Sequence, residues 1–423
     1  MRICVLGLWH LGSVTAACCA RHFQVTGLDA DPQTVAGLRE GRAPLFEPGL
    51  NELLHEGLAS GRLRFTSDPS EACSGADVLW LCIDTPVNER DESDVDFVLD
   101  GLRRCLAHLP PKALVVVSSQ LPVGTCRALE AEFPQFSFAC SPENLRLGRA
   151  LETFAKAERV VVGVRDESRK PLLEELFAPF TAQVQFMRTE SAEMVKHALN
   201  SFLALSITFI NEIARLSEHL GADAREVAAG LKSESRIGPR AYLGPGGPFA
   251  GGTLARDVVS LTRLAAAHHE PLALIPAIRQ SNELHRQWAL QKLKRHLGDL
   301  KGRTIAVLGL VYTPNTDTLR RSAAVELCRV LVAAGARVQA FDPGVRTLAE
   351  PAGVLLAGEL SEALRGADAA VVCTEWPQFR QAPWNELVGP MRRALVVDPN
   401  GFLQNELNSI PGVEHLSVGQ ASI

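Results

Sequence analysis

Short apolar runs alternate with helical patterns along the first part of the chain. Arg2–Leu6 (RICVL), Gln24–Leu28 (QVTGL), Asp77–Ile83 (DVLWLCI), Ala113–Val117 (ALVVV) and Arg159–Val164 (RVVVGV) each read as strands. A turn and a helix from about Leu11 follow the first of them. Short strands separated by helices predict a parallel, doubly wound sheet. From Ser191 the period changes. Met194, Ala198, Phe202, Leu205, Phe209, Ile213 and Leu216 recur at spacings of three and four. That is one apolar stripe on a long helix, which stops near Gly221. The segment Ala198–Ala214 also holds Asn200, Ser201, Asn211 and Glu212, so it reads as a buried helix and not as a membrane span. A further helical stretch is expected over residues 257–296. Strands then return at Thr304–Leu308, Arg337–Phe341, Ala369–Cys373 and Ala394–Val397.

The expected fold class is α/β, with two Rossmann-like doubly wound domains joined by a helical central domain with a long connecting helix. The expected domains are 1–190, 191–298 and 299–423. The strand openings Ile3-Cys-Val-Leu-Gly7 and Ile305-Ala-Val-Leu-Gly309 look alike, which suggests a repeated fold.

Composition narrows the function. The chain has 423 residues, 46% of them hydrophobic, enough for several cores of its own. A net charge of −5 leaves no basic excess for nucleic acid. The N-terminus opens straight into a strand, so no signal peptide and no membrane partner are expected, and the location implied is cytoplasmic. Ten cysteines without paired metal spacing read as reduced thiols, with no metal site. None lies between Cys140 and Cys328.

The first strand runs into Gly7-Leu-Trp-His-Leu-Gly12. A dinucleotide fingerprint places a pyrophosphate on the start of the following helix. Gly7 and Gly12 fit, but Trp9 takes the place of the middle glycine. Asp29 ends the second strand and suits a ribose diol.

Further motifs make the chain resemble the UDP-glucose/GDP-mannose dehydrogenase family over nearly its whole length. They are Pro44-Leu-Phe-Glu-Pro-Gly-Leu50, Thr85-Pro86, Leu121-Pro-Val-Gly-Thr125, Ser141-Pro-Glu-Asn-Leu-Arg146, and Ser191-Ala-Glu-Met-Val-Lys196 with Asn200 and Asn211-Glu212. They continue through Arg236-Ile-Gly238, Gly251-Gly-Thr-Leu-Ala-Arg-Asp257, Leu308-Gly-Leu-Val-Tyr-Thr-Pro-Asn-Thr-Asp317, Arg320, Phe341-Asp-Pro343 and Thr374-Glu-Trp376. The resemblance implies oxidation of the C6 alcohol of a nucleotide sugar, with a UDP-sugar favoured and NAD as cofactor. It implies a homodimer and a place in polysaccharide or specialised sugar synthesis.

It also implies roles for residues. Lys196 and Asn200 match a lysine and an asparagine that surround the reacting oxygen, and their i, i+4 spacing puts both on one helix face. Glu143 matches an acidic residue that assists hydrolysis, and Asp257 one that activates water or the nucleophile. The cofactor set is Gly7, Trp9, His10, Leu11, Gly12, Asp29, Thr85, Pro86, Gln120, Arg256 and Arg320. The substrate set is Arg236, Tyr242, Leu243, Gly251, Tyr312 and Thr313, with Arg236 matching an arginine that reaches the neighbouring subunit's substrate.

The chain departs from the family where chemistry is done. The family's loop reads Gly-Gly-Ser-Cys-Phe-Pro-Lys-Asp; counting back from Asp257, Thr253 stands at the cysteine. A thiol is partly ionised near neutral pH and attacks an aldehyde, whereas a threonine hydroxyl is a far weaker acid. Gln120 replaces a threonine that helps hold water. Asp84 puts a carboxylate beside the expected cofactor, and Thr313 replaces a lysine. Three readings follow: oxidation that stops at the aldehyde, a nucleotide-sugar-binding protein that has lost catalysis, and a full four-electron oxidation with an unconventional nucleophile.

Overall fold

The computed structural model describes residues 1–88, 91–250 and 252–420. The chain forms two compact units, residues 1–199 and 200–423. The first is built on β1 (Arg2–Leu6), β2 (Gln24–Leu28), β3 (Leu63–Thr66), β4 (Val78–Leu81), β5 (Leu114–Val117), β6 (Ser137–Cys140), β7 (Val160–Val164) and β8 (Val184–Met187). These eight lie in the order β3-β2-β1-β4-β5-β6-β7-β8. Every neighbouring pair is parallel except β6 with β7. The central strands are covered on both faces, which is why they read as unbroken apolar runs. Ile3, Val5, Trp80 and Val116 pack into one layer, and Cys4, Leu6, Leu79, Leu81 and Val115 into the other. The alternation follows from the two-residue period of a strand.

The second unit carries β9 (Thr304–Leu308), β10 (Arg337–Phe341), β11 (Val354–Leu356), β12 (Ala369–Val372), β13 (Leu395–Val397) and β14 (Glu414–Leu416). Their order is β11-β10-β9-β12-β13-β14, all parallel. This is the order of the first six strands of the other unit, so the similar openings at Ile3 and Ile305 belong to one repeated frame. The repetition extends to the turns. Gly7 N–H donates to Leu28 O at 2.8 Å, and Gly309 N–H to Phe341 O at 2.8 Å. Leu8 N–H donates to Asp29 and Leu310 N–H to Asp342. Ser13 Oγ donates to Leu8 O, and Ser322 Oγ to Leu310 O.

Two helical expectations are corrected. The stretch over 257–296 is three helices, Thr253–Ala267, Leu274–Arg286 and Trp288–Leu297. Glu270-Pro271 falls in the first break, where proline removes a donor and disfavours helix in the residue before it. The long helix runs from Thr189 to Leu220, but its apolar stripe does not face inward. Phe202 is 63% exposed and Leu216 55%, and Met194 and Phe209 are exposed as well. The buried positions combine small or apolar residues, Ala192, Ala204, Ile210 and Ala214, with many polar ones, among them Glu193, Lys196, His197, Asn200, Ser201, Thr208, Asn211 and Ser217. The period correctly marks a two-faced helix; it carries no information about which face the same chain covers.

Most of the inward polar groups find partners, as burial demands, although the Ser201 hydroxyl has none. Glu218 joins Lys292 at 2.9 Å and also accepts from Trp288 Nε1 at 2.8 Å and Gly419 N–H at 3.0 Å.

Candidate active site

In the first unit, the turn after β1 leads directly into the helix His10–Cys19. Gly7 has φ +88°, and a Cβ there would lie 2.6 Å from Ile83 Cα. A Cβ on Gly12 would lie 1.7 Å from Gly7 O, so only glycine lets helix and strand approach this closely. Trp9 sits at a negative φ of −72°, so this position does not require glycine. Asp29 accepts from Leu8 N–H at 2.7 Å and Asp31 N–H at 2.9 Å, which fixes its carboxylate at the end of β2. Just beyond the neighbouring β4, Ile83 packs on Gly7 and is followed by half-buried Asp84. Thr85 Oγ1 donates to Gln120 O at 2.8 Å, tying the β4 end to the segment after β5. An anion-binding helix start, a tight glycine turn and an ordered carboxylate fit a dinucleotide.

The same unit holds Lys196 beside Glu143. Lys196 Nζ donates to Glu143 O at 2.6 Å and to its Oε1 at 3.3 Å, and Leu145 N–H donates to Oε2 at 2.7 Å. Two neighbours on the long helix pin Lys196. Glu193 accepts from Gly124 N–H at 2.6 Å and Cys126 N–H at 2.9 Å, a carboxylate at the start of the helix Thr125–Glu132. His197 Nε2 bonds Leu121 O at 3.0 Å.

In the second unit, Thr253 opens the helix Thr253–Ala267 and is exposed. One turn on, Asp257 is fully buried and accepts from Asn200 Nδ2. A cleft of about 610 Å³ is lined by Tyr242, Leu243, Tyr312, Thr313, Lys232 and the strap 246–250. The helix Ala323–Ala333 begins at its wall, so both a lysine and a helix start favour an anion. Several side chains sew the strap down, among them Asn400, which accepts from Gly247 N–H at 2.7 Å. Asn211 bonds Gly246 and Gly247, Asn282 bonds both backbone groups of Phe249, and His285 bonds Gly246 O.

Residues 1–181, 190–284 and 306–405 match, in order, the NAD binding, central and UDP binding domains of the UDP-glucose/GDP-mannose dehydrogenase family.

The chain belongs to this family.

It is 32% identical to UDP-glucose 6-dehydrogenase TuaD of Bacillus subtilis over 437 residues, covering 100% of this chain and 94% of the relative. It is 34% identical to UDP-glucose 6-dehydrogenase of Rhizobium meliloti, covering 99% and 100%. A UDP-glucose dehydrogenase structure from Pyrobaculum islandicum superposes with a TM-score of 0.85 at 34% identity, covering 94% of this chain and 93% of that one. The protein is thus an NAD-dependent nucleotide-sugar dehydrogenase.

In this dehydrogenase the first unit brings together Gly7, Trp9, His10, Leu11, Gly12 and Asp29 at one turn, with Thr85, Pro86 and Gln120 beside it. Arg256 is buried next to Asp257, while Arg320 is exposed ahead of the helix Ala323–Ala333. Tyr242, Leu243, Tyr312 and Thr313 share the cleft. Arg236 is exposed and pairs with Glu234 at 3.0 Å. Gly251 lies outside the described residues. Sequence reasoning missed Glu47, Glu193, Asn282 and His285 as buried polar anchors, and gave Asn211 no role. Glu47, Glu193 and Asn211 stand inside motifs already quoted; the others carry no local signal.

Two cysteines line cavities: Cys140 shares a small one with Glu143 and Lys196, and Cys373 lies on the larger cleft. At Cys373, burial first, then Cys328 and Asp398, push the pKa well above the usual thiol range. Cys373 is held as a thiol, not as a thiolate nucleophile.

Proposed function

We propose that the enzyme oxidises the C6 alcohol of a UDP-sugar once and releases the aldehyde. The observation that carries this reading is Thr253 at the first turn of its helix, beside the retained Asn200–Asp257 pair. NAD, when bound, supplies the acceptor for one hydride. Lys196 places its ammonium against the oxygen that gains negative charge, and Glu143, in contact with that ammonium, takes the hydroxyl proton. One alcohol and one NAD therefore give one aldehyde, one NADH and one proton. A second hydride would need a tetrahedral adduct at C6. A threonine hydroxyl stays protonated near neutral pH and is stiff about χ1, so it forms that adduct poorly.

The retained Lys196, Glu143, Asn200 and Asp257 argue against a binding protein without catalysis. The protonated state of Cys373 argues against full oxidation through that thiol. The test is the count of NADH per UDP-sugar consumed, with the product trapped by a hydrazine. One NADH and a trapped aldehyde are expected. Two NADH with a carboxylate product, or none with the sugar still bound, would overturn the reading.

The working unit is a homodimer. Phe202, Phe209 and Leu216 recur every seven residues on the outer face of the long helix, and Met194 and Leu220 extend the row. A row of large apolar side chains of this length is costly in water and suits a second copy of the same helix. The proposed site residues, domain limits and cytoplasmic role in sugar synthesis stand with this reading.

A further inference from the structure

The motif around Glu47 has no place in the chemistry above, yet its carboxylate is fully enclosed close to the cofactor turn. The Glu47 side chain has 0% exposure. Its Oε2 meets His10 Nε2 at 2.8 Å and Gly148 N–H at 2.9 Å, and its Oε1 accepts from Ala150 N–H at 2.8 Å. One end of this network is therefore the first residue of the helix His10–Cys19, directly after Trp9. The other end is the start of the helix Ala150–Ala155, behind the segment that holds Glu143.

We propose that Glu47 is a positioning residue for NAD, which keeps the His10 ring turned into the protein and so leaves the start of the helix His10–Cys19 open to the cofactor pyrophosphate. The His10 side chain is only 11% exposed and lies against a carboxylate with no exposed surface. A ring in that place cannot also cover the helix start. The first-turn N–H groups of a helix have no partner within it and must face an outside acceptor. At this turn the cofactor already has to pass Trp9, so a second ring swinging over the same groups would close the seat. Glu47 prevents that swing with a hydrogen bond of the charge-assisted kind. The backbone bonds from Gly148 and Ala150 hold the carboxylate itself in place, so it does not follow the ring outward.

The inference rests on the reading of this turn as the NAD site, and the experiment separates the two. NAD affinity is measured by calorimetry on the full-length protein, with KM and kcat from NADH formation on a UDP-sugar. Glu47→Gln keeps the shape and removes the charge. Its NAD Kd and KM rise about tenfold or more, the factor set by losing one hydrogen bond to a charged group. The kcat at saturating NAD moves far less. Glu47→Asp, too short to reach His10, gives the same Kd increase if the glutamine variant does not fold. Since His10 meets the cofactor through the helix start and not through its ring, removing the ring in the double variant Glu47→Gln with His10→Ala then brings Kd back toward the wild-type value. A merely structural Glu47 lowers thermal stability but leaves Kd of the folded protein unchanged, or gives a Kd increase that the double variant does not recover; either result overturns the proposal. A variant with Gly7→Ala and Gly12→Ala that still folds and binds NAD as tightly as the wild type would overturn the underlying reading of the turn.

Discussion

His285 makes the cleft strap dependent on pH, and the size of the effect follows from its surroundings. Nε2 bonds Gly246 O at 2.7 Å and Nδ1 bonds Arg215 Nη1 at 3.0 Å. The guanidinium can only donate, so Nδ1 must accept and the ring is neutral. A second proton would set two donors against each other. Burial, above all, lowers the pKa from 6.5 to about 4; the Arg215 charge lowers it further, while Gly246 O and Glu218 oppose the shift. Between those two values the unfolded chain binds a proton that the folded chain refuses. Stability from this group is therefore complete above the unfolded pKa and is lost as pH falls toward the folded one. A difference of about 2.5 units at 1.36 kcal/mol each is about 3 kcal/mol at the acid limit, with about 2 kcal/mol lost by pH 5. The assay is urea unfolding from pH 7.5 to 4.5, followed by tryptophan fluorescence, for the wild type and His285→Gln. Glutamine donates to Gly246 but does not titrate, and acid effects of other groups cancel in the difference. The variant is the less stable at pH 7.5 by about 1 kcal/mol, the worth of one hydrogen bond. That gap shrinks and reverses as the pH drops. A gap that stays constant across the range would refute the argument.

Four other outcomes are expected. Thr253→Cys raises the NADH yield from one toward two per UDP-sugar, read from absorbance at limiting substrate. Lys196→Ala lowers kcat by roughly a hundredfold or more, as for loss of a group that stabilises a developing oxyanion, in steady-state assays with folding checked by circular dichroism. Phe202→Glu with Phe209→Glu converts the dimer to monomer in light scattering, because two buried charges would face the partner helix. Glu218→Ala strands Lys292 and two further donors and costs about 3–5 kcal/mol in denaturant unfolding.

The strands most legible in the sequence are unbroken apolar runs, whereas burial on both faces alone does not make a strand legible, as buried β6 shows. β4 and β5 are unbroken apolar runs because water touches neither side. β3, as Leu-Arg-Phe-Thr, and β6, as Ser-Phe-Ala-Cys, are short and mixed, and nothing local separates them from loop. The long helix shows a different limit. Its stripe was visible and its length correct, yet the face the chain itself covers is the one rich in polar groups. Periodicity reports that two faces differ, and tertiary structure decides which is inside. At the site, glycines and the Lys196–Asn200 spacing were readable because their effects are local. Glu47 and His285 were not, since each works by meeting backbone or side chains far away in sequence.

The repeated β-turn frame has a consequence for how one enzyme sorts two similar ligands. NAD and a UDP-sugar both present a pyrophosphate, and Gly7, Asp29 and Ser13 have counterparts of the same geometry in Gly309, Asp342 and Ser322. The frame alone cannot tell the two molecules apart. What differs is the chain between turn and helix: the first helix starts at His10, directly behind its turn, and the second at Ala323, after the intervening segment 310–322. That inserted stretch carries Tyr312 and Thr313 into the cleft. Ligand identity in each half is thus written in loop length, which lets one half change its preference through a surface segment while the strands beneath stay as they are. It also makes cross-occupancy, each ligand inhibiting at the other's seat, the failure to look for first when that segment is shortened.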